Sequence, residues 1–377
     1  MANTLTGLIQ YIYDSVDHVS REMVGMIPAV YKNSKADMVA KNQDITYDIV
    51  PAASAYDVTP SSSIPALDAT TVGTGTMAID KARAVKFHWT GEDEAAIGRE
   101  AKAGIQNNKF AQAFRTLSGE MEGDLSGLYV HASRAYGTAG TTPFATAGDF
   151  SDAAEVAKIL KDNGAPESDL QLVINTDAGA KILGKQSQVH MVGSDDPLRR
   201  GVLLDIANMQ IRESAKIKSH TKGTGSLYVT SGATAEGVTD IALITGSGTV
   251  LAGDVATFAA DGANKYIVGT GIAAPGTISL NEPGARVTIP DANALTVGAS
   301  YAANMAFSRD AIHLLTRLPK MPEGGDAADD IMIVQDPVSG IFFQVAMYRA
   351  YRAVLIEVAV AWGVKAAKSE HIALLLG

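Results

Sequence analysis

The feature that most limits how this chain can fold is a run of apolar residues at helical spacing: Phe110, Phe114, Leu117, Met121, Leu125 and Leu128. Steps of three and four place them on one stripe of an α-helix. The stripe continues to about Ala135, where Gly137 and a Thr/Gly/Pro cluster stop it. At about 1.5 Å per residue such a helix spans ~40 Å, longer than most helices of a compact domain. Gly119, Gly123 and Gly127 recur along it every four residues. Each lowers intrinsic helix stability by about 1 kcal/mol relative to Ala. A close approach of another helix or a sheet over that glycine face would account for them. Glu120, Glu122 and Asp124 beside the glycines exclude a membrane-dimer motif.

Upstream, Leu5, Ile9, Ile12, Val16, Val19, Met23 and Met26 also share a helical stripe, ended by Gly25 and Pro28. That stripe either packs on its own domain or reaches a neighbour. From Asp44 to Val50 the period becomes two, and a second alternating run carries Met77, Ile79, Arg83, Val85, Phe87 and Trp89 on one face. Between them, Ala52 to Thr74 is rich in Ser, Thr, Pro and Ala and has no periodicity. Long structureless loops are uncommon inside compact domains, and a two-stranded hairpin alone is marginal in water. From Asp44 to Asp80 there are five aspartates and no Lys or Arg. The expectation is a projecting hairpin of one charge sign, built to lie on a partner. Thr90 is placed to cap a short helix, with Asp93 three residues on.

From Ser151 the pattern alternates: a helix to Lys161, a turn at Asn163-Gly164, a strand at Leu170–Ile174 and a helix from Thr176 to about Leu183. Asp196-Pro197 opens a turn or helix near Leu198–Ala207. Ile211–Lys222 reads as a strand with Lys216, Lys218, His220 and Lys222 on one face. Composition shifts near Gly223. Through Ser300 come short β-rich runs, Leu227–Thr230, Val250–Leu251, Val255–Phe258, Tyr266–Val268, Thr277–Leu280, Arg286–Ile289 and Leu295–Val297, separated by Gly, Asp-Gly and Pro turn signals. That spacing predicts a small barrel or sandwich inserted into the chain. The tail is β again, through Ile331–Val334, the turn Asp336–Gly340, Ile341–Tyr348 and a last long strand carrying Val354, Ile356, Val358, Val360, Trp362 and Val364.

Chemistry is sparse. The chain of 377 residues has no cysteine, which excludes a disulfide scaffold, a thiol nucleophile and a Cys-ligated metal. It lacks a phosphate loop, a His-Glu-x-x-His motif and a Gly-x-Ser-x-Gly elbow, and its seven histidines are scattered. Gly246-Ser247-Gly248 and Gly269-Thr270-Gly271 read as turns, and Asp196 as a helix cap. No catalytic, cofactor or metal site emerges. A net charge of -10 argues against tight nucleic-acid binding while permitting weak local contact. The most apolar run, Ala353–Trp362, carries Glu357 and is too short to span a bilayer. With Asp14 and Asp17 interrupting the early apolar stretch, no secretory signal is expected, and the chain is expected to be soluble and made in the cytoplasm. The Lys216, Lys218, His220, Lys222 face is either solvated or meets a neighbour's acidic hairpin or phosphate. It has no aromatic partner for base stacking.

Arm, hairpin, long helix, α/β region, inserted β unit and closing sheet, in that order, resemble the major capsid protein of tailed double-stranded DNA bacteriophages. The likeness is to the α+β Hong Kong 97-type fold, and within it to the short-tailed-phage coat family that carries an insertion (I) domain. It is carried by Phe110–Ala135 as the spine helix, by Leu251-Ala252-Gly253-Asp254-Val255 with Tyr266-Ile267-Val268, and by Asp336 to Gly340 through Trp362-Gly363-Val364-Lys365 to His371-Ile372-Ala373. The resemblance implies an N-terminal arm (1–40) and an extended loop (41–90). It implies a peripheral domain (91–150 and 331–377), an axial domain (151–222 and 301–330) and the I-domain (223–300).

The implied function is structural and non-enzymatic. Copies self-assemble as hexamers and pentamers into an icosahedral virion shell around the genome, in the host cytoplasm. Partners are a scaffolding protein, a portal, a decoration protein and, weakly, packaged DNA, with no membrane and no cofactor. Candidate inter-subunit contacts are Asp57, Asp68, Lys216, Lys218, Arg199 and Arg200. Two departures stand out. Some members crosslink subunits through a lysine on the extended loop, but no lysine lies between Lys41 and Lys81. Ser231–Thr239 also leaves little room for the long loop that relatives carry between early strands of the insertion. Rival readings are an encapsulin-like cellular shell, a tail or decoration protein, and an α/β hydrolase using His190 or His220 with Asp195.

Overall fold

The computed structural model describes residues 25–33, 40–50, 57–58, 60, 72–93, 99–146, 149–186, 205–206, 208–335 and 340–377. The arm helix expected from Leu5, most of the tip Ala52–Thr74, the segment around Asp196-Pro197 and the turn at Asp336–Ser339 lie outside the described residues.

The apolar stripe folds as expected. Helix α1 (Arg99–Ser126) buries Phe110, Phe114, Leu117, Met121 and Leu125 against a six-stranded sheet. In that sheet Tyr31–Asn33, Ile312–Arg317, Ala353–Ala366, Phe342–Ala350 and Asp330–Gln335 lie in order, and Lys81–Thr90 pairs with Ala353–Ala366. Ile356, Val358, Val360 and Trp362 alternate onto the helix side and are buried there. Burying each such side chain contributes roughly 1.5–3 kcal/mol. The helix does not reach Ala135. It tightens into a 3-10 turn at Gly127–His131, and Arg134–Tyr136 is a strand. Pairing with Ala373–Leu375 and Lys265–Tyr266 captures those residues and overrides the helical spacing. Before the helix, Thr90 and Asp93 form the expected reciprocal cap, Asp93 N–H to Thr90 Oγ1 at 3.2 Å and Thr90 N–H to Asp93 Oδ2 at 3.0 Å.

The second run of the hairpin is two strands, not one. Gly73–Ala78 pairs with Asp44–Ile49, and after Ile79-Asp80 the chain enters the six-stranded sheet as Lys81–Thr90. Gly363 permits that crossing, since a Cβ there would lie 1.9 Å from the Ala78 carbonyl oxygen. The hairpin base sits on the sheet face opposite α1. Ile45, Tyr47, Met77 and Ile79 pack on Leu315 and Ala361, whose neighbours Leu314, Val360 and Trp362 face the helix.

A second sheet contains Arg134–Tyr136, Ile372–Leu376, Tyr301–Ser308, Leu170–Ile174 and Met209–Glu213 as neighbours. Helices α2 (Ser151–Asp162) and α3 (Thr176–Gln186) pack on it through Val156, Leu160, Ile182 and Leu375. The α2 turn falls at Asn163-Gly164, where Gly164 takes φ +76°, and Leu170–Ile174 is a strand buried along its length. Asn175 caps α3 by accepting the Ala178 N–H at 3.0 Å. Of the turn or helix expected near Leu198–Ala207, Asp205–Ile206 is a strand paired with Met209–Gln210. The expected strand Ile211–Lys222 is also interrupted, with pairing at Met209–Glu213 and again only at Ser219–His220.

Between Gly223 and Ser300 the strands close on themselves. Val229–Thr230, Asp240–Ile244, Gly276–Leu280, Asp261–Thr270, Val255–Phe258 and Leu295–Val297 pair in that order, and a bridge from Val229 to Ala294 completes the ring. Tyr228, Ile241, Phe258, Tyr266 and Ile278 fill the interior. Asp240–Ile244 was not among the expected runs, and Val250 and Ile289 make only isolated bridges. The chain passes twice between the two sheets. Ile312–Arg317 joins the helix-backed sheet, and Ile372–Leu376 joins Tyr301–Ser308 in the other. The turn Arg309–Ala311 passes the chain between the two. No helix among the described residues is long and apolar enough to cross a membrane.

Candidate assembly surfaces

Among the described residues the hairpin is anchored at its base. Tyr47 lies over its cross-strand partner Gly75, whose missing Cβ would meet the ring at 2.2 Å, and stacks toward His313 with centroids 6.3 Å apart. Beyond Tyr47 the cover ends. Val50 is 79% and Val58 88% exposed, and Asp44, Asp48, Asp57 and Asp80 are all exposed. Asp68 lies outside the described residues. Acidic and aliphatic groups thus share a ribbon with no core of its own.

On the opposite face of the sheet, the segment Ser214–Lys218 lies along α1 and accounts for two of the three glycines. A Cβ on Gly119 would be 3.4 Å from Lys216 Cε and one on Gly127 3.1 Å from Lys218 Nζ, while Gly123 faces open space. The covering element is therefore an irregular segment with its lysine side chains, not a helix or sheet. Arg199 and Arg200 lie outside the described residues. Lys216 and Lys218 do not share a strand face with His220, because the chain leaves the ladder at Ser214.

Glu122 explains that departure. Its carboxylate, fully buried, accepts N–H bonds from Met26 at 2.9 and 3.0 Å and Ile27 at 2.9 Å, and the Ser214 hydroxyl at 2.7 Å. Burial pushes its pKa up, against the pull of those donors. Lys218 N–H donates to Ser126 Oγ at 2.8 Å. Ser118, Glu122 and Ser126 form a buried polar row beside the apolar stripe, which no sequence periodicity separates from a solvated flank. On the other flank Asp124 accepts from Lys81 at 2.6 Å and Trp362 Nε1 at 2.8 Å, and Glu120 meets Arg83 at 3.2 Å.

At the neck of the β unit, His220 is buried between Asp254 (Nε2 to Oδ1, 2.8 Å) and the Tyr129 hydroxyl (Nδ1, 2.9 Å). Asp254 also accepts the N–H groups of Gly223 at 2.9 Å and Leu251 at 2.7 Å, and Tyr301 donates to the Gly253 carbonyl at 2.7 Å. Burial, then the nearby Asp254, raises the Tyr129 pKa. Both ends of the insertion are tied here, so the cluster acts as a structural clasp. His190 and Asp195 of the hydrolase reading lie outside the described residues, and the carboxylate beside His220 is Asp254. Among the described residues no group of three His, Asp or Glu side chains gathers to hold a metal.

No protein-family model and no curated protein matches the sequence. Solved structures do match in shape. A chain of Mycobacterium phage Che8 superposes with a TM-score of 0.50 at 12% identity, covering 94% of this chain and 91% of that one. A chain from the capsid structure of the cyanophage P-SCSP1u superposes with a TM-score of 0.50 at 10% identity, covering 94% of this chain and 88% of that one. Spine helix, backing sheet, projecting hairpin and second α/β layer, together with these superpositions over nearly the whole chain, identify the architecture as the Hong Kong 97-type fold of tailed-phage capsids.

Proposed function

We propose that the protein is a major capsid protein, a non-enzymatic subunit that assembles into the icosahedral shell of a tailed phage around double-stranded DNA. The observation that carries this reading is the hairpin, whose described residues beyond Tyr47, Asp48, Val50, Asp57 and Val58 among them, are exposed on a fold shared with a phage capsid chain. Such a ribbon gains its missing contacts from a neighbouring copy, and closed rings of copies give every hairpin a seat. In this reading Asp44–Ala78 is the extended loop, α1 the spine, and the closed β unit an inserted I-domain. Hexamers and pentamers would be guided by a scaffolding protein, completed by a portal and open to decoration, in the host cytoplasm. An encapsulin-like shell, which usually lacks such an insertion, is the weaker reading.

Lys41 and Lys81 sit at the hairpin base and no lysine lies between them, so the shell is held without lysine crosslinks from this loop. A ladder of denaturant-resistant oligomers on a gel would contradict that. Electron microscopy and sedimentation of the expressed chain, alone and with candidate scaffold, test the main reading. Closed shells are the expected result, and a strictly monomeric protein under every condition overturns it.

A further inference from the structure

The glycine face of α1 is a row of fixed positive charge. Arg115, Gly119, Gly123, Gly127 and His131 follow one another every four residues, opposite the buried stripe. Lys216 fills the gap over Gly119 and Lys218 the gap over Gly127. Arg115 is exposed one turn before Lys216. From Arg115 to Gly127 the row runs about 18 Å.

The acids interleaved with these glycines are all engaged elsewhere. Glu120 pairs with Arg83, Asp124 with Lys81, and Glu122 is buried under backbone donors. Glu213 aims at the start of α3, its Oε2 lying 2.6 Å from where a Gly179 Cβ would be. Among the described residues no carboxylate pairs with Arg115, Lys216 or Lys218.

A linear row of cations without an exposed aromatic or apolar anchor matches a phosphate backbone, not an apolar partner or unstacked bases. The acidic hairpin of a second copy is the other polyanion at hand. It lies on the opposite face of the sheet, so copies set edge to edge with one face outward keep hairpins and lysines on different surfaces of the wall. We propose that the Arg115, Lys216, Lys218 row lines the inside of the shell and contacts the phosphates of packaged duplex DNA. This rests on the capsid reading. A chain of net charge -10 offers only this limited attraction, which lets DNA be held without being gripped.

The test is fluorescence anisotropy of a short mixed-sequence duplex with the purified chain, from about 50 to 200 mM salt. Lys216→Gln/Lys218→Gln is expected to lower the log–log salt slope by about 2 and weaken binding about tenfold at low salt. Lys158→Gln/Lys161→Gln, with the same change in charge, is expected to leave the slope unchanged. Equal slopes in all three proteins, or tighter binding of poly-glutamate than of duplex, overturn the proposal. Microscopy of the same preparations separates the two readings. Shells without a slope change sink the DNA contact alone, and absence of shells removes the interior placement whatever the slope. In intact shells Lys216 and Lys218 should resist a bulky amine reagent that labels them after disruption. Equal labelling in both states overturns the interior placement.

Discussion

Between Val229 and Val297 six strands close into a ring around Tyr228, Phe258 and Tyr266, and the entry and exit of the unit are clasped by Asp254, His220 and Tyr301. Between Asp44 and Ala78 two strands pair with each other, and among the described residues it is their base that packs on the rest of the molecule. Both are antiparallel β-structure carried on the same framework. The ring encloses an apolar interior of its own, whereas the described residues of the ribbon beyond Tyr47 are exposed. A β unit holds its own shape where its strands enclose a core, and a two-stranded hairpin depends on what its base packs against.

The largest expected effect is on the ring. Phe258→Ala empties a fully buried site and should cost about 3–5 kcal/mol in urea denaturation. Proteolysis at the hairpin should stay at its original rate, and a parallel rise there would show that the two units are not independent. Next comes Asp254→Ala, which strands the buried N–H of Gly223, at about 1–3 kcal/mol for the unpaired group, and frees the partly exposed N–H of Leu251 to water. Hydrogen exchange should quicken at the neck and spare Asp44–Ala78. Uniform quickening would show that the clasp supports the whole molecule.

Tyr47→Ala removes the half-buried ring that seats the ribbon and should cost roughly 1 kcal/mol, felt locally. The free chain should then be cut faster at the hairpin with an unchanged urea midpoint, and assembled particles should show no difference. A matching loss of protection in particles would mean that neighbours do not cover the ribbon.

The smallest effect belongs to the framework both units share. Glu122 titrates above its unfolded value because burial disfavours its charge. The linked stabilisation is therefore fully present below the unfolded pKa and lost as pH rises through the folded one. Wild type should gain on Glu122→Gln as pH falls, and ring and ribbon probes should report the same gain. A pH-independent difference would place the cost of the substitution entirely in lost hydrogen bonds.

Much of this architecture could be read from local pattern. The α1 stripe, the wholly apolar Leu170–Ile174 and the turn-bounded ring strands needed no knowledge of distant residues. Asp240–Ile244 carried a usable signal too, since Ile241 and Leu243 alternate inward. The misread points are those where a remote partner decides. Arg134–Tyr136 left the helix for strands far along the chain, and the break at Ile79-Asp80 depends on the bare backbone of Gly363. The lysines of Ser214–Lys218 looked like a strand face because nothing local announces that the Ser214 hydroxyl will turn to Glu122 and the Lys218 N–H to Ser126.

The strand Ile372–Leu376 lies between Arg134–Tyr136 and Tyr301–Ser308, and Ser133 donates to Ile372 across 239 positions of sequence. Such topology is slow to form, because loop-closure entropy must be met before the contacts that reward it exist. While Ile372–Leu376 is undocked, two apolar strand edges are bare, which makes that interval prone to aggregation and open to chaperone capture. Substitutions in this strand that delay its docking would therefore lower the yield of refolded, soluble protein at elevated temperature more than the resilience of molecules already complete.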